Sequence, residues 1–217
     1  MTTPSFEFCF QFSDNPFNEP GELGRSWGRF AIHLDGTPLF RECGTNKPGL
    51  EWNLLYLRDW LTDDFWKSIE PNPVAAPSWP GARCYRKYLD ESLDKSVSKE
   101  REAALIEQWA WLSSKNIWHV GQGVRSPSIF FVVDEARQLV EISWDQEENR
   151  ERGFQTPPSD RVFVKLFRFR MEVAKFLSAY YRFVGNKRSS RTAPAKRPKH
   201  TFARVATPPR YSTVETA

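Results

Sequence analysis

The sequence predicts an α+β domain, in which a small antiparallel sheet of two hairpins packs against about three helices and a disordered basic C-terminal tail follows. Three observations lead to this class. Extended runs flank the turn pair Asp35-Gly36, a second pair of extended runs lies between residues 127 and 144, and apolar residues recur at helical spacing in three other segments. With 9 Trp and 17 Phe in 217 residues, the chain has enough large rings for a substantial core.

Alternation of apolar and polar residues indicates the first hairpin. In residues 6–12 a phenylalanine occupies every second position, which is the period of a strand with one buried face. Residues 27–34 form the second predicted strand, and Asp35-Gly36 leads into a third over about residues 37–41, because both turn residues tolerate positive φ. We interpret His33, inside the second strand, as a half-exposed strand residue.

Helical spacing of apolar side chains predicts three helices. The first covers about residues 50–68, the second runs from a serine cap at position 96 or 98 to about residue 114, and the third covers about residues 160–184 with Gly185 as its stop. Phe167 belongs to the predicted apolar face of the third helix. The beginning of that segment, residues 162–170, also suits a strand, so both interpretations stay open.

Two connections and the second hairpin complete the predicted domain. Residues 70–81 contain four prolines and are expected to form an extended connection pinned by Trp79, with a flexible hinge as the alternative. The polar residues 145–160 are expected to form a loop. The runs 127–133 and 139–144 form the hairpin, with the turn at 134–138. We expect this hairpin to pair with the first sheet.

Charge and composition divide the chain into a domain, residues 1–185, and a tail, residues 186–217. The tail has eight Lys or Arg and one acid, whereas the rest of the chain has 23 basic and 26 acidic residues. Because the tail is rich in Pro, Ser and Thr and poor in core-forming residues, it is predicted to be disordered. Its cations suit the phosphates of a nucleic acid, and a solubilising role is the alternative. The candidate nucleic-acid-binding residues are Lys187, Arg188, Arg191, Lys196, Arg197 and Lys199.

The elbow around His119 is the candidate site within the domain. The elbow covers residues 118–126 and joins the second helix to the second hairpin. A general base there would need a carboxylate such as Asp134 or Glu141 nearby. No nucleophile motif accompanies His119, and the three histidines and three cysteines lack the spacing of metal ligands. We therefore expect no enzyme activity, no metal and no cofactor. We assign Trp118, His119 and Arg125 to a partner-binding surface, with helix capping as the structural alternative for His119.

The sequence also bears on the cellular compartment. Three widely spaced cysteines form no disulfide framework, which favours a reducing cytoplasm. The N-terminus lacks the basic and apolar regions of a signal peptide, and no run approaches the ~20 apolar residues of a transmembrane helix. We expect a cytoplasmic protein without membrane partners.

Four segments carry a resemblance to a known family. They are the tryptophan-rich segment 52–60, the helix end 109–119, the Gly-x-Gly-x-x-x-Pro-x-Ile-x-Phe run 121–131 and the Glu-Ile-Ser-Trp sequence 141–144. In this order they resemble an uncharacterised prokaryotic domain that often precedes an ImmA/IrrE-type metallopeptidase. The HExxH motif of the peptidase does not occur in this chain. The resemblance therefore implies a stand-alone accessory domain of prokaryotic stress or defence systems. Because the chain is rich in tryptophan and lacks a catalytic constellation, we expect a non-catalytic protein-interaction module of such a defence or stress-regulatory assembly, and nucleic-acid association through the tail is the alternative.

Overall fold

The computed structural model describes residues 3–17, 19–64, 80–117 and 125–189. The described strands are β1 (Phe6–Phe12), β2 (Trp27–Leu34), β3 (Thr37–Pro38), β4 (Arg41–Glu42), β5 (Leu50–Asn53), β6 (Ile129–Asp134), β7 (Leu139–Trp144), β8 (Phe154–Gln155) and β9 (Arg161–Lys165). The described α-helices are α1 (Leu54–Asp59), α2 (Gly81–Ser92), α3 (Lys99–Ser113), α4 (Gln146–Glu151) and α5 (Leu166–Ser189). Helices and small antiparallel sheets occur together, so the predicted α+β class is confirmed.

β2 is the centre of the first sheet. Every residue of β1 pairs with β2 in the antiparallel direction, starting with Phe6 opposite Leu34. β3 and β5 both pair with the other edge of β2. Asp35 and Gly36 take φ values of 48° and 73° in the turn between β2 and β3. The first predicted hairpin and its turn chemistry are therefore confirmed. The third predicted strand is wrong in its extent, because β3 ends at Pro38 and Arg41 belongs to β4, which pairs with β8 in a separate two-stranded sheet.

The second hairpin belongs to a separate sheet, so the expected pairing with the first sheet is wrong. β7 is the centre of this second sheet, with β6 on one edge and β9 on the other. The chain after α3 occupies the outer edge of β6: the Ile117 N–H donates to the Ile129 carbonyl at 3.1 Å, and the Phe131 N–H donates to the Lys115 carbonyl at 2.9 Å. Because both edges of the hairpin are taken, neither is left for the first sheet.

The helix predicted over residues 50–68 is wrong in its first turn. Leu50–Asn53 forms β5, opposite residues 27–30 of β2. Asn53 then caps α1, since its Oδ1 accepts the Leu55 N–H at 3.1 Å. A π-helical turn, Trp60–Asp64, follows, and residues 65–68 lie outside the described part of the chain. Pairing with β2 supplies hydrogen bonds that local helix propensity does not count, and tertiary structure overrides propensity here.

Two helices lie where none was predicted. α2 follows the proline-rich connection, and the sequence indicated no helix there. α4 occupies part of the predicted loop 145–160. It begins because Asp145 is an N-cap whose Oδ1 accepts the Glu148 N–H at 2.9 Å. Its six residues lack an apolar stripe, so the helical period could not reveal it.

The other helices agree better with the prediction. α3 begins after Ser98, whose hydroxyl caps it as expected. The segment 160–184 starts with β9, so the strand alternative for residues 162–170 is confirmed as far as Lys165, and the helical interpretation is confirmed from Leu166. The predicted stop at Gly185 is wrong, because α5 continues to Ser189. Of the predicted tail, residues 190–217 lie outside the described part.

An aromatic cluster joins the two sheets to α5. Phe169 of α5 is fully buried, and its ring centroid lies 5.6 Å from that of Phe6, 5.8 Å from Phe8 and 5.5 Å from Phe131. Phe6 and Phe8 belong to β1, whereas Phe131 belongs to β6. Trp60 extends the cluster, 5.7 Å from Phe131. One side chain of α5 thus contacts both sheets at the centre of the core.

Phe169→Ala is expected to lower the free energy of unfolding by about 3–5 kcal/mol, because it opens a cavity where three elements meet. Urea unfolding followed by tryptophan fluorescence measures this loss. Phe167→Ala, two residues away on the exposed side of α5, is the matched control and should cost less than about 1 kcal/mol. Equal losses for the two variants would contradict the central role of Phe169.

Candidate functional site

The elbow that the sequence assigned to a partner connects α3 to β6. Trp118 and His119 lie outside the described residues, whereas Arg125 lies at the downstream end of the elbow and is exposed. Its Nη2 donates to the Glu151 carbonyl at 3.1 Å. A Cβ added to Gly153 would lie 3.0 Å from the guanidinium carbon, so the glycine leaves room for this side chain. Arg125 therefore links the elbow to the end of α4 while remaining at the surface.

Three polar side chains from the described segments on either side of the elbow and from α4 form one hydrogen-bond network. Asn149 of α4 is fully buried, and its Oδ1 accepts the Ser128 N–H at 2.6 Å while its Nδ2 donates to the Ser128 carbonyl at 3.1 Å. Asn116 Nδ2 donates to the Ser128 hydroxyl at 3.1 Å. These amide and hydroxyl groups do not titrate near neutral pH, so the network positions the two ends of the elbow and is not suited to proton transfer.

The end of α3 is fixed by two aromatic contacts. Lys115 is buried, and its Nζ lies 4.7 Å from the centroid of the Trp111 ring. A desolvated cation over an indole ring is stabilised by about 2 kcal/mol. On another side, the Trp60 Nε1–H donates to the Ser114 carbonyl at 2.9 Å. These two contacts fix the position of the residues that precede the elbow.

Both carboxylates that the sequence offered to a general base have structural contacts. Asp134 Oδ1 accepts the Arg137 N–H at 2.9 Å in the turn between β6 and β7. Glu141 Oε1 accepts the Gly81 N–H at 2.7 Å at the start of α2, and its Oε2 lies 3.6 Å from Nη1 of Arg161. Burial raises the pKa of the Glu141 carboxyl, although these contacts oppose the rise. Glu141 thus anchors the N-terminus of α2 to β7.

The remaining candidates for chemistry are dispersed. Within the described ranges 3–17, 19–64, 80–117 and 125–189, no group of three His, Cys, Asp or Glu side chains is placed to hold a metal ion. Cys9, Cys43 and Cys84 form no disulfide in the described part of the chain, and burial raises the pKa of the Cys84 thiol. At neutral pH Cys84 is therefore a protonated core residue and a poor nucleophile. His33 is half-buried in β2, in agreement with its interpretation as a strand residue.

α5 is held against the first sheet along its inner side. Glu172 Oε2 accepts the Phe8 N–H at 3.0 Å, and the Tyr180 hydroxyl donates to Glu22 Oε1 at 3.0 Å. The Arg58 guanidinium lies 5.4 Å from the centroid of the Tyr180 ring. Burial, followed by the negative charge of Glu22, raises the pKa of the Tyr180 phenol, which keeps this hydroxyl a donor. These contacts fix the rotation of α5 about its own axis, and so decide which residues face outward.

The opposite side of α5 carries an exposed line of apolar and small residues that the sequence analysis missed. Its members are spaced by four, three, four and three residues, which places them on one face of a helix with 3.6 residues per turn. Phe167, Met171 and Tyr181 are 56%, 55% and 52% exposed, respectively. We call this line the outward stripe, and it consists of Phe167, Met171, Ala174, Ser178 and Tyr181.

The prediction that Phe167 lies on the buried face is therefore wrong. α5 has apolar residues on two faces, and periodicity alone does not tell which face meets the core. A signal was nevertheless present, because Met171 and Tyr181 continue from Phe167 at their own helical spacing, separate from that of Phe169, Val173 and Phe176. Two apolar lines on one helix indicate that a second surface competes for burial.

Only part of the predicted nucleic-acid surface lies within the described chain. Lys187 and Arg188 belong to the last turn of α5, whereas Arg191, Lys196, Arg197 and Lys199 lie outside the described residues. The basic character extends upstream of the tail, because residues 161–189 contain eight Lys or Arg and one acid. The tail therefore continues a segment that is already strongly basic.

Comparison of the chain with protein-family models, curated proteins and solved structures finds no match. In the described part of the chain, no helix is both long and apolar enough to cross a membrane.

The raised pKa of Glu141 predicts a pH-dependent contribution to stability. A carboxyl whose pKa is higher in the folded than in the unfolded protein stabilises the fold most at low pH, and this contribution is lost as pH rises through the folded pKa. The unfolding free energy of the wild type minus that of Glu141→Gln should therefore decrease between about pH 4 and pH 8. Urea unfolding of both proteins across this range measures the difference, and a constant or increasing difference would contradict the assignment.

Proposed function

We propose that this protein is a non-catalytic protein-interaction module, an accessory component of a prokaryotic defence or stress-regulatory assembly in the cytoplasm. The observation that supports the proposal is the outward stripe of α5. Its three large side chains are each more than half exposed, although the same helix buries Phe169 and Phe176 completely on its other side. Exposed apolar side chains aligned along one helix are typical of a surface that a partner covers.

The size of the stripe suits a moderate interaction. Fully burying one large apolar side chain contributes about 1.5–3 kcal/mol. Because the three large side chains of the stripe are only 52–56% exposed, a partner can bury about half of each. Together they contribute about 2–5 kcal/mol, from which the entropic cost of association must be subtracted. The stripe alone therefore favours a reversible complex, and a second contact would be needed for a permanent one.

The elbow supplies a candidate for that second contact. Arg125 is exposed and is held by the Glu151 carbonyl, so a partner would meet it in a defined position. With Trp118 and His119 it remains our proposed partner-binding group. The defence or stress-regulatory context rests on the sequence resemblance to the domains that precede ImmA/IrrE-type peptidases.

A photo-crosslinking amino acid at position 171 is expected to trap a discrete protein in living host cells, because Met171 lies in the middle of the outward stripe. The same amino acid at position 11 is the control, since Gln11 is exposed on β1. Immunoblots and mass spectrometry identify the adducts. Adducts that are the same at both positions, or their absence at position 171, would contradict the proposal.

Nucleic-acid association is a second candidate function, and the charge of the chain favours it. In the segment 161–189 and the tail, almost all of the charged side chains are Lys or Arg. Lys and Arg in such a stretch neutralise phosphates and release counterions, without a need for sequence recognition.

Deleting residues 190–217 is expected to weaken DNA and RNA binding and to flatten its dependence on salt, because each lost phosphate contact removes a counterion-release step. Fluorescence anisotropy at about 50 and 200 mM salt measures both effects. A control of unchanged length replaces only the Lys and Arg residues of the segment 190–217 by Gln and should reproduce the loss. Unchanged affinity in the deletion variant would contradict a nucleic-acid role for the tail.

A further inference from the structure

Resting on the proposed interaction function, we propose that the partner element is an acidic amphipathic helix of another protein, which packs lengthwise along the outward stripe. The partner helix would place apolar residues against the stripe and carboxylates against the cations beside it. The proposal depends on three features of α5: the spacing of the stripe, the size of its residues and the charge of its borders.

The spacing of the stripe fits a helix rather than a flat surface. Five residues from Phe167 to Tyr181, at alternating intervals of four and three, form the seam that two helices share in a coiled coil. At 1.5 Å per residue this seam is about 21 Å long, or four helical turns. A strand or loop would not match a 4-3 repeat over that length, whereas a second helix would.

The residue sizes leave room for a partner in the middle of the seam. Ala174 and Ser178 are exposed and small, and larger side chains lie on either side of them: Phe167 and Met171 before, and Tyr181 after. Large residues of an approaching helix therefore find space near Ala174 and Ser178, in the manner of ridges entering a groove. This arrangement sets the register of the partner helix.

The borders of the stripe are positively charged. Arg168, Lys175 and Arg182 follow one border at intervals of seven residues, and all three are exposed. Arg170 lies on the other border. Two of these four cations have acidic neighbours: Lys175 Nζ lies 3.0 Å from Glu7 and 3.1 Å from Glu172, and Arg170 lies 3.4 Å from Glu135.

Four cations and three carboxylates, those of Glu7, Glu135 and Glu172, therefore lie along the two borders. The excess positive charge lies with Arg168 and Arg182, on one border of the seam. A helix that carries carboxylates at the flanking positions facing this border is therefore attracted to it.

The same charges disfavour a second copy of this chain as the occupant. In an antiparallel pair of stripes, the border with Arg168, Lys175 and Arg182 faces its own copy, and in a parallel pair it faces the border with Arg170. Cations meet cations along the whole border in the antiparallel arrangement, and at Arg170 in the parallel arrangement, which is destabilising. The tail of this chain is excluded as an occupant for the same reason, because it is itself basic.

Two synthetic helical peptides of about 21 residues test the proposal with the full-length chain. Both have Leu at the seam positions, and one has Glu where the other has Lys at the flanking positions. Fluorescence anisotropy should give an affinity for the Glu peptide at least about tenfold higher than for the Lys peptide at about 50 mM salt, and a smaller ratio at about 300 mM.

Two variants of the chain connect this binding to the stripe. Met171→Glu should weaken binding of the Glu peptide by about tenfold or more, because it places a carboxylate in the apolar seam and against the carboxylates of the peptide. Gln11→Glu, which adds the same charge at an exposed site on β1, should leave binding unchanged. A third variant, Arg168→Glu with Arg182→Glu, should reverse the preference toward the Lys peptide.

Several results would overturn the proposal. Equal affinity for the two peptides would contradict an acidic partner. If the chain sediments as a dimer that Met171→Glu dissociates, the stripe would be assigned to a second copy. Displacement of the Glu peptide from the stripe by duplex DNA would assign the surface to nucleic acid. The interaction function is tested separately by the crosslinking experiment in cells. If an adduct forms at position 171 but the two peptides bind equally well, the protein is still an interaction module, and only the acidic nature of the partner is contradicted.

Discussion

The contact of Phe169 with both sheets is the interaction on which the other features of this fold depend. Among the described residues, the sheet centred on β2 and the sheet centred on β7 share no hydrogen-bonded edge. Their association rests on side-chain packing, and the rings of Phe6, Phe8 and Phe131 meet at Phe169. Such contacts are non-directional in origin, but the close packing of aromatic rings makes the geometry specific. α5 is therefore as central to the core as either sheet.

The position of Phe169 also creates the exposed surface of α5. A helix that packs against the core on one side only must present the opposite side outward, and the contacts of Glu172 and Tyr180 prevent α5 from turning to bury another face. Phe167 and Met171 are consequently exposed. The same geometry that satisfies the core leaves an apolar seam with cationic borders, and this combination supports a role in binding another helix.

Polar side chains in the rest of the domain mainly join secondary-structure elements. Glu141 accepts a hydrogen bond from the first N–H of α2, and Asn149 satisfies the backbone of Ser128. Buried polar groups of this kind are costly unless they are paired, so each contact fixes one relative position of two elements. The described residues next to the elbow are therefore held by contacts with α4, and Arg125 at the downstream end is held by the Glu151 carbonyl.

The sequence by itself determined the elements whose signals are local: the alternation in β1 and the Asp35-Gly36 turn depend on neighbours in the chain, and the serine cap of α3 was narrowed to position 96 or 98. It did not determine which further strands join each hairpin, because distant segments such as β5 and β9 compete for the edges of the sheets. The outward stripe is visible in the sequence as a second set of apolar residues at helical spacing. Only the tertiary structure decided which set is exposed, because the Phe169 face had partners on both sheets to pack against.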